Sequence, residues 1–320
     1  MSQGGQFTLD LVEVSSVGQS DPTKTITLRN AFASDMRARI NRLARDVVYA
    51  IVKDDCLGLN IETPSVFAST PQSPGYKRFA YLRKDAKIES FMLWMNEMQD
   101  KRVLQIISFP QLGQSMNARW TDTYLESAYA QGIKRASDEM RHIGMAVPFT
   151  SKEQALAIMK QPIHAERAGL IYTRAFSDLK GITKSMDTQI SRILAQAVLE
   201  GKSPKEVAGA IADVLIGNKT YSAKEYIGAF MTARRRAELI AQTEIVRAHH
   251  LAMVQEYRNW GVINVKVNAE WVTAQDDRVC EICESMEGQV FTLDEVEGLI
   301  PVHPGCRCCI IPSVEEVSSK

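Results

Sequence analysis

The sequence predicts a mainly α-helical fold, in which an elongated body of several helices is followed by a small C-terminal α+β module. Two observations lead to this prediction. Before Gly261, apolar residues recur every three to four positions over most of the chain, which is typical of amphipathic helices. After Gly261 the spacing changes to the alternation of short strands, and five of the six cysteines follow.

The overall composition is that of a folded protein. The chain has 320 residues, of which 45% are hydrophobic and 24% charged, and these fractions exclude wholesale disorder and collagen-like repeats. Equal numbers of basic and acidic residues, 38 each, exclude a simple basic protein that coats DNA. The N-terminus lacks the pattern of a signal peptide, and no apolar run approaches the ~20 residues that span a bilayer. We therefore expect a protein of the reducing cytosol without a membrane partner.

The balanced charge hides two parts of opposite sign. Residues 264–320 contain four basic and eleven acidic side chains, a net charge of −7, so residues 1–263 carry +7. Breaks in the helical pattern divide the chain further. We expect an extended arm over residues 1–22, an N-terminal helical region over 23–150, a central helical region over 151–262 that ends in a long helix, and a cysteine-rich module over 263–320.

The first helix of the N-terminal region is predicted to start near Asp21 and Pro22, where a capping side chain precedes a proline. We interpret its arginines as a solvated face, with contact to nucleic acid as the alternative. A loop over 58–75, two further helices around 88–98 and 120–143, and a short strand over 103–109 follow. The apolar stripe of the first helix consists of Phe32, Met36, Ile40, Leu43, Val47 and Ile51, and its arginines are Arg29, Arg37, Arg39, Arg42 and Arg45.

The central region is predicted to be helical almost throughout. Ser151 and Ser203 each begin a capping pattern. The pattern between them indicates a short helix, a second helix from Pro162 to Gly181, and a third that ends at Gly201. The long helix is expected over about 223–260, followed by strand candidates over 262–267, 269–273, 290–292 and 309–311.

Four polar positions of the long helix bear on its role. Thr243 and His250 interrupt an otherwise apolar stripe, and we interpret His250 as a hydrogen-bonded, partly buried histidine, with a ligand role as the alternative. Glu244 and Arg247 lie one turn apart and are expected to form an ion pair.

The cysteines of the last region have the spacing of a metal site. Cys280 and Cys283 form a C-x2-C pair, and nineteen residues later His303 and Cys306 form a second pair around Pro304-Gly305. Four nitrogen and sulfur ligands in a tetrahedron form the usual structural zinc site. The sequence therefore predicts a zinc-stabilised metal module whose ligands are Cys280, Cys283, His303 and Cys306, with Cys308 in place of His303 as the alternative.

Three other uses of these cysteines compete with a structural zinc site. The first is a set of buried thiols with one disulfide. A thioredoxin-like redox site is disfavoured because no strand-then-helix pattern surrounds Cys280 and Cys283. A catalytic zinc needs an open coordination position, whereas donors are in surplus here. A segment this small with few large apolar side chains gains from a metal cross-link, so the expected role of zinc is structural.

Together, these motifs resemble the phage head morphogenesis family, the minor head proteins that include the F protein of phage Mu. The resemblance covers roughly residues 125–312, and its specific part is about 235–308. The residues that carry it are Arg236-Ala-Glu-Leu-Ile-Ala-Gln-Thr-Glu244, Trp271-Val-Thr-Ala-Gln-Asp-Asp-Arg-Val-Cys-Glu-Ile-Cys283, Gly288, Phe291 and Pro301-Val-His-Pro-Gly-Cys-Arg-Cys308. Cys309 is an extra cysteine outside this pattern.

The resemblance implies a minor capsid protein that is internal to the head of a tailed phage. It implies association with the portal protein, with the major capsid or scaffolding protein as further partners, and a role in head assembly, DNA packaging or ejection. It also implies that the protein is found in the host cytoplasm during assembly and then in the virion. The basic body could contact packaged DNA or an acidic portal surface, whereas the acidic module suits a protein partner.

Two other functions compete with this one. The first is a metal-dependent nuclease, and the second is a toxin-like effector carried in the phage head. Against the nuclease, His303 is the single histidine of the tail and is already a predicted ligand. No acid–base pair converges at a defensible spacing, so we predict no catalytic residue and expect a protein that is not an enzyme.

Overall fold

The computed structural model describes residues 21–57, 59, 84–108, 117–148, 150–217, 231–261 and 266–315. This part of the chain contains nine α-helices, one π-helical turn and two small sheets, so the predicted mainly α fold class is confirmed. The predicted arm over 1–22 and loop over 58–75 lie almost wholly outside the described residues. The α-helices are α1 (Ile26–Val52), α2 (Lys84–Gln99), α3 (Asp122–His142), α4 (Lys152–Ile158), α5 (Pro162–Glu200), α6 (Pro204–Ile216), α7 (Ala233–Gly261), α8 (Glu281–Met286) and α9 (Leu293–Val296).

Helix α1 buries the predicted stripe, but it begins at Ile26, four residues after Pro22, with Thr25 as its N-cap residue. The six stripe residues are all 0–1% exposed. Asp21 Oδ2 accepts a hydrogen bond from the backbone N–H of Ile26 at 2.8 Å, and Asp21 Oδ1 lies 2.7 Å from Nη2 of the buried Arg29. Arg39 lies over the ring of Trp120, 3.8 Å from its centroid, and pairs with Asp35. Arg37 Nε pairs with Glu238 of α7 at 2.8 Å, so three of the five arginines form structural contacts.

The helix starts in the central region follow the sequence closely. Ser151 and Ser203 form complete capping boxes with Gln154 and Glu206, and α6 ends at Gly217, whose φ is 70°. The predicted break at Gly181 is wrong, because α5 runs for 39 residues through it. A glycine inside a helix costs only about 1 kcal/mol, and Leu179 and Ile182, both fully buried on either side, offset that cost.

Helix α7 is the central element of the body. It packs closely against α3 at Gly132, where an added Cβ would lie 2.3 Å from the backbone oxygen of His249. The predicted ion pair forms, with Arg247 Nε 3.1 Å from Glu244 Oε1. The residues over 218–230, where the long helix was expected to begin, lie outside the described part of the chain.

Two small sheets accompany the helices. After a π-helical turn over Asp100–Leu104, β1 (Ile106–Ser108) pairs antiparallel with β2 (Asn117–Arg119), so only part of the strand predicted over 103–109 forms. The C-terminal sheet has the order β4-β3-β5, with both pairs antiparallel. Its strands are β3 (Lys266–Val272), β4 (Val290–Thr292) and β5 (Cys309–Glu315).

Two hydrophobic cores lie in the described residues. The larger combines α1, α2, α3, α5, α6 and α7, so it draws on both sides of the boundary predicted at residue 150. The smaller joins one face of α3 and α7 to the C-terminal module, with Trp271 fully buried and Tyr257 from α7 beside it. The four predicted regions stay predictions, but the second core shows that the module packs on the body.

None of the described helices is long and apolar enough to cross a bilayer.

Candidate metal centre

The first half of the candidate centre lies at the start of α8. Cys280 is the N-cap residue of this helix and has an extended backbone. Its Sγ accepts a hydrogen bond from the backbone N–H of Cys283 at 3.5 Å. The C-x2-C spacing thus folds into one helical turn, which brings the half-exposed Cys280 and the buried Cys283 together.

The second half is the loop between α9 and β5. The backbone N–H of Cys306 donates to the carbonyl of His303 at 3.1 Å, which closes a turn over Pro304 and Gly305. Gly305 has a φ of 76°, in the left-handed region that glycine adopts most easily. This turn explains why a Pro-Gly pair separates two of the predicted ligands.

The structure brings all five predicted donors together. The sulfur atoms of Cys280 and Cys283 and a ring nitrogen of His303 lie within 4.8 Å of one another, and so do the sulfur atoms of Cys283, Cys306 and Cys308. Cys283 belongs to both groups, and its Sγ lies 3.4 Å from His303 Nε2. The first predicted ligand set draws on both groups, and so does the alternative with Cys308. Both sets therefore stay predictions.

The ring of His303 is oriented to bind a metal through Nε2. Its Nδ1 lies 3.0 Å from the carbonyl oxygen of Pro304. Because a carbonyl only accepts, Nδ1 carries the proton and Nε2 presents its lone pair toward Cys283. Burial lowers the pKa of His303, but the Pro304 carbonyl and the charge of Cys306 raise it more, and the net shift is upward. Metal-bound histidines commonly have such an outer acceptor, which fixes the tautomer.

The sulfur atoms differ in how readily they ionise. Hydrogen bonds from Cys308 lower the pKa of Cys306 to about 5 despite its burial. The same contact, together with burial, raises the pKa of Cys308. Burial raises the pKa of Cys283 to about 12, whereas the backbone N–H of Cys283 lowers the pKa of Cys280. Cys306 therefore ionises more readily than an ordinary cysteine to the thiolate, the form that binds metal, and a bound cation would stabilise the other thiolates.

These donors fit a structural zinc ion. With Zn–S bonds of about 2.3 Å, the sulfur atoms of a tetrahedral site lie about 3.8 Å apart. Donor atoms within 4.8 Å of one another need only small shifts to reach that geometry. Thiolate sulfur and imidazole nitrogen are the ligands that zinc prefers, and five donors for four positions leave no need for an open site.

Cys309 does not belong to the donor cluster. Its Sγ donates to the carbonyl oxygen of Pro22 at 3.3 Å and accepts from Arg135 Nη2 at 3.5 Å. Burial raises the pKa of Cys309 to about 11, so it is a thiol at neutral pH. This side chain joins β5 to the turn before α1, whereas Cys56 lies in the larger helical core.

Two polar side chains of α7 attach the module to the body. Thr243 Oγ1 donates to the Leu239 carbonyl at 2.6 Å and accepts from the backbone N–H of Gly305 at 3.0 Å. His250 Nε2 lies 2.9 Å from the Val296 carbonyl, so the interpretation of His250 as a hydrogen-bonded histidine is confirmed. No role was predicted for Thr243. Its only signal in the sequence was a polar residue within an apolar stripe.

Charge also holds the module in place. Glu297 pairs with Arg258 Nη2 at 2.8 Å and with Arg167, and hydrogen bonds from these two arginines lower the pKa of Glu297 to about 2. Within the module, both terminal nitrogens of Arg307 bond to the carboxylate of Asp276, at 2.6 and 2.5 Å. The sequence did not predict these pairs, although Asp276 and Arg307 lie within the motifs that carry the resemblance.

Part of the chain matches a known protein family. Residues 188–311 match the family model described as phage Mu protein F like protein. The match contains the whole of the segment 235–308 that carries the resemblance, and every candidate metal ligand. No curated protein and no solved structure matches the chain. The resemblance seen in the sequence is confirmed: residues 188–311 form a phage Mu protein F-like region.

Proposed function

We propose that this protein is a minor head protein of a tailed bacteriophage, internal to the head and associated with the portal protein. The single observation that carries the proposal is the family match over residues 188–311, which supports a phage head morphogenesis protein. The portal association and the role in head assembly, DNA packaging or ejection are the finer parts of the proposal. In this view the protein is made in the host cytoplasm and then becomes part of the virion.

The C-terminal module acts in this proposal as a zinc-stabilised docking element. Cys280, Cys283 and Cys306 would hold the ion together with His303 or Cys308, and the ion supplies a cross-link between α8 and the loop before β5. The module is small, and metal binding adds directly to the free energy of folding in such small units. Its surplus of acidic residues favours a partner protein over DNA.

The protein acts without catalysis in this proposal. Glu244 is the buried carboxylate nearest the metal loop along α7, and it is already paired with Arg247 and with Arg174, whose Nε lies 3.8 Å away. The family match is compatible with a structural role, and the donor surplus argues against an open catalytic zinc position. The further partners are the major capsid or scaffolding protein, and packaged DNA through the basic body.

The proposal is tested on particles of the phage that encodes this chain. Quantitative mass spectrometry of purified DNA-filled heads should find a few copies per particle, and purified protein should bind the purified portal protein in a pull-down. Absence from both the heads and the portal complex would overturn the proposal. Nuclease activity that is lost on chelation and in His303→Ala would instead favour the enzyme.

A further inference from the structure

A cleft of about 950 Å³ lies between the start of α1, the second half of α3, and β5. None of the candidate metal ligands lines it. Six lysine, arginine and histidine side chains line it from two helices and the turn before α1: Lys24, Lys134, Arg135, Arg141, His142 and His249.

The charge of the cleft is positive. Two carboxylates, Asp138 and Glu139, face its four cations. Asp138 is shared between Lys134 and Arg141, and Arg135 Nε pairs with Glu139 at 2.6 Å. Lys24 is exposed and has no ion-pair partner among the described residues. The cleft therefore keeps an excess of two positive charges.

His249 supplies the observation that points to a ligand. Its side chain is 3% exposed and lines the cleft, yet its ring has no hydrogen-bond partner within the described part of the chain. Burial and the nearby Arg135 hold the pKa of His249 well below its usual value. The neutral ring carries one N–H. The ring nitrogens of His249 are not among the fully buried polar atoms that lack a partner, so this N–H is open to an acceptor bound in the cleft.

We propose that this cleft binds the phosphate backbone of double-stranded DNA, with Lys24, Lys134 and Arg141 as the charged contacts and His249 as a neutral donor. Phosphate contacts in proteins come mainly from such lysine, arginine and polar donors. An acidic protein segment shares the charge but needs apolar anchors for a stable interface. The apolar lining here is limited to Ile143, Ile311 and Pro312. The proposal takes its ligand from the proposed function and deepens its DNA contact.

The test measures binding of the full-length protein to a fluorescent 20-base-pair duplex by anisotropy, from about 50 to 200 mM salt. The double variant Lys24→Gln/Lys134→Gln should bind about tenfold more weakly at the lower salt. The slope of log affinity against log salt concentration should also be shallower by about 1 to 2, because each charge removed corresponds to one lost phosphate contact. The matched control Arg42→Gln/Arg45→Gln removes two positive charges from exposed positions of α1 outside the cleft, and should change affinity less than about twofold.

Equal losses in both double variants would overturn the proposal, because they would report net charge and not the cleft. Unchanged DNA affinity of the cleft variant, or no DNA binding by the wild type at 50 mM salt, would do the same. A cleft variant that loses binding to poly-glutamate and keeps DNA affinity would assign the cleft to an acidic protein and overturn it too. Incorporation into heads is measured separately, so cleft-dependent DNA binding by a protein absent from particles would contradict only the proposed function.

Discussion

The hydroxyl oxygen of Thr243, in the middle of α7, accepts a hydrogen bond from the backbone N–H of Gly305 at 3.0 Å. Gly305 lies between His303 and Cys306, two of the candidate ligands. The same hydroxyl donates to the Leu239 carbonyl, so its orientation is fixed by the helix. The metal loop is therefore held by a side chain of the body, 62 residues earlier in the chain.

Loss of this hydrogen bond should weaken metal binding. Outer contacts that orient metal ligands typically contribute 10- to 100-fold to affinity, so Thr243→Val should lower zinc affinity by about tenfold in a competition with a chelator. Thr243→Ser keeps the hydroxyl and should therefore keep most of the zinc affinity of the wild type. Thr173 also donates to a carbonyl one turn earlier in its helix but is exposed, and Thr173→Val is the control that should leave zinc affinity unchanged. Equal affinity in Thr243→Val and the wild type would remove Thr243 from the metal site.

Metal content should separate the ligands from the other cysteines. Cys283 belongs to both donor groups, so Cys283→Ser should reduce the zinc content from about one per chain to near zero in elemental analysis of protein purified under reducing conditions. Cys280→Ser should behave alike. Cys309→Ser should keep its zinc, because Cys309 bonds to Pro22 and Arg135.

The fourth ligand is decided by two further variants in the same assay. His303→Asn should lose zinc if the first predicted set is right, and Cys308→Ser should lose it if the alternative is right. Zinc in neither the wild type nor any variant would exclude the metal site altogether.

Gly132 should be intolerant of any side chain. A Cβ there would lie 2.3 Å from the backbone oxygen of His249 and 2.8 Å from Ala252 Cβ, so Gly132→Ala must push α3 and α7 apart. Overpacking of this kind costs typically 1–3 kcal/mol, to be measured by denaturant unfolding. In α5, Gly169 has open space around it, and Gly169→Ala should be neutral or stabilise by about 0.5–1 kcal/mol. A stable Gly132→Ala protein would mean that the two helices are not in such close contact.

His250 should make the protein less stable in mild acid. Burial lowers the pKa of His250 from 6.5 to about 4, so between these values the unfolded chain binds a proton that the folded protein does not. The free energy of unfolding should therefore fall as the pH falls from 6.5 to 4. In His250→Gln, measured at equal zinc saturation, the slope of the unfolding free energy against pH should be smaller. The decrease should correspond to the binding of up to about one proton. Replacement of the exposed His142 is the control, and an identical slope in both variants would contradict the assignment.

The sequence predicted the helices whose ends and faces are set by neighbouring residues. Ser203 and Pro204 start α6 through local hydrogen bonds and a fixed φ, and these signals are short-range. Gly181 led to a wrongly predicted helix end, because the burial of the residues beside it depends on contacts with other helices and not on the local sequence pattern. The predicted strand over 290–292 coincides with β4, whereas β5 runs four residues further than the 309–311 segment indicated.

The metal site was predictable as a set of donors but not as a geometry. The two half-sites follow from spacing alone, since C-x2-C and the turn at Pro304 each fold locally. Which of five donors bind depends on the path of the loop between them. The anchoring by Thr243 and the pairing of Glu297 with Arg167 and Arg258 join segments far apart in the chain, and such contacts have no signature in one sequence.

The carbonyl of Pro22, at the first described turn of the chain, accepts hydrogen bonds from both Arg135 and Cys309. During synthesis, Arg135 becomes available early, but Cys309 is made 287 residues after Pro22. The packing around this turn therefore cannot close until β5 has been made and has left the ribosome. A chain that stops before β5 would leave the start of α1 without this contact, so the order at the start of α1 depends on the presence of β5.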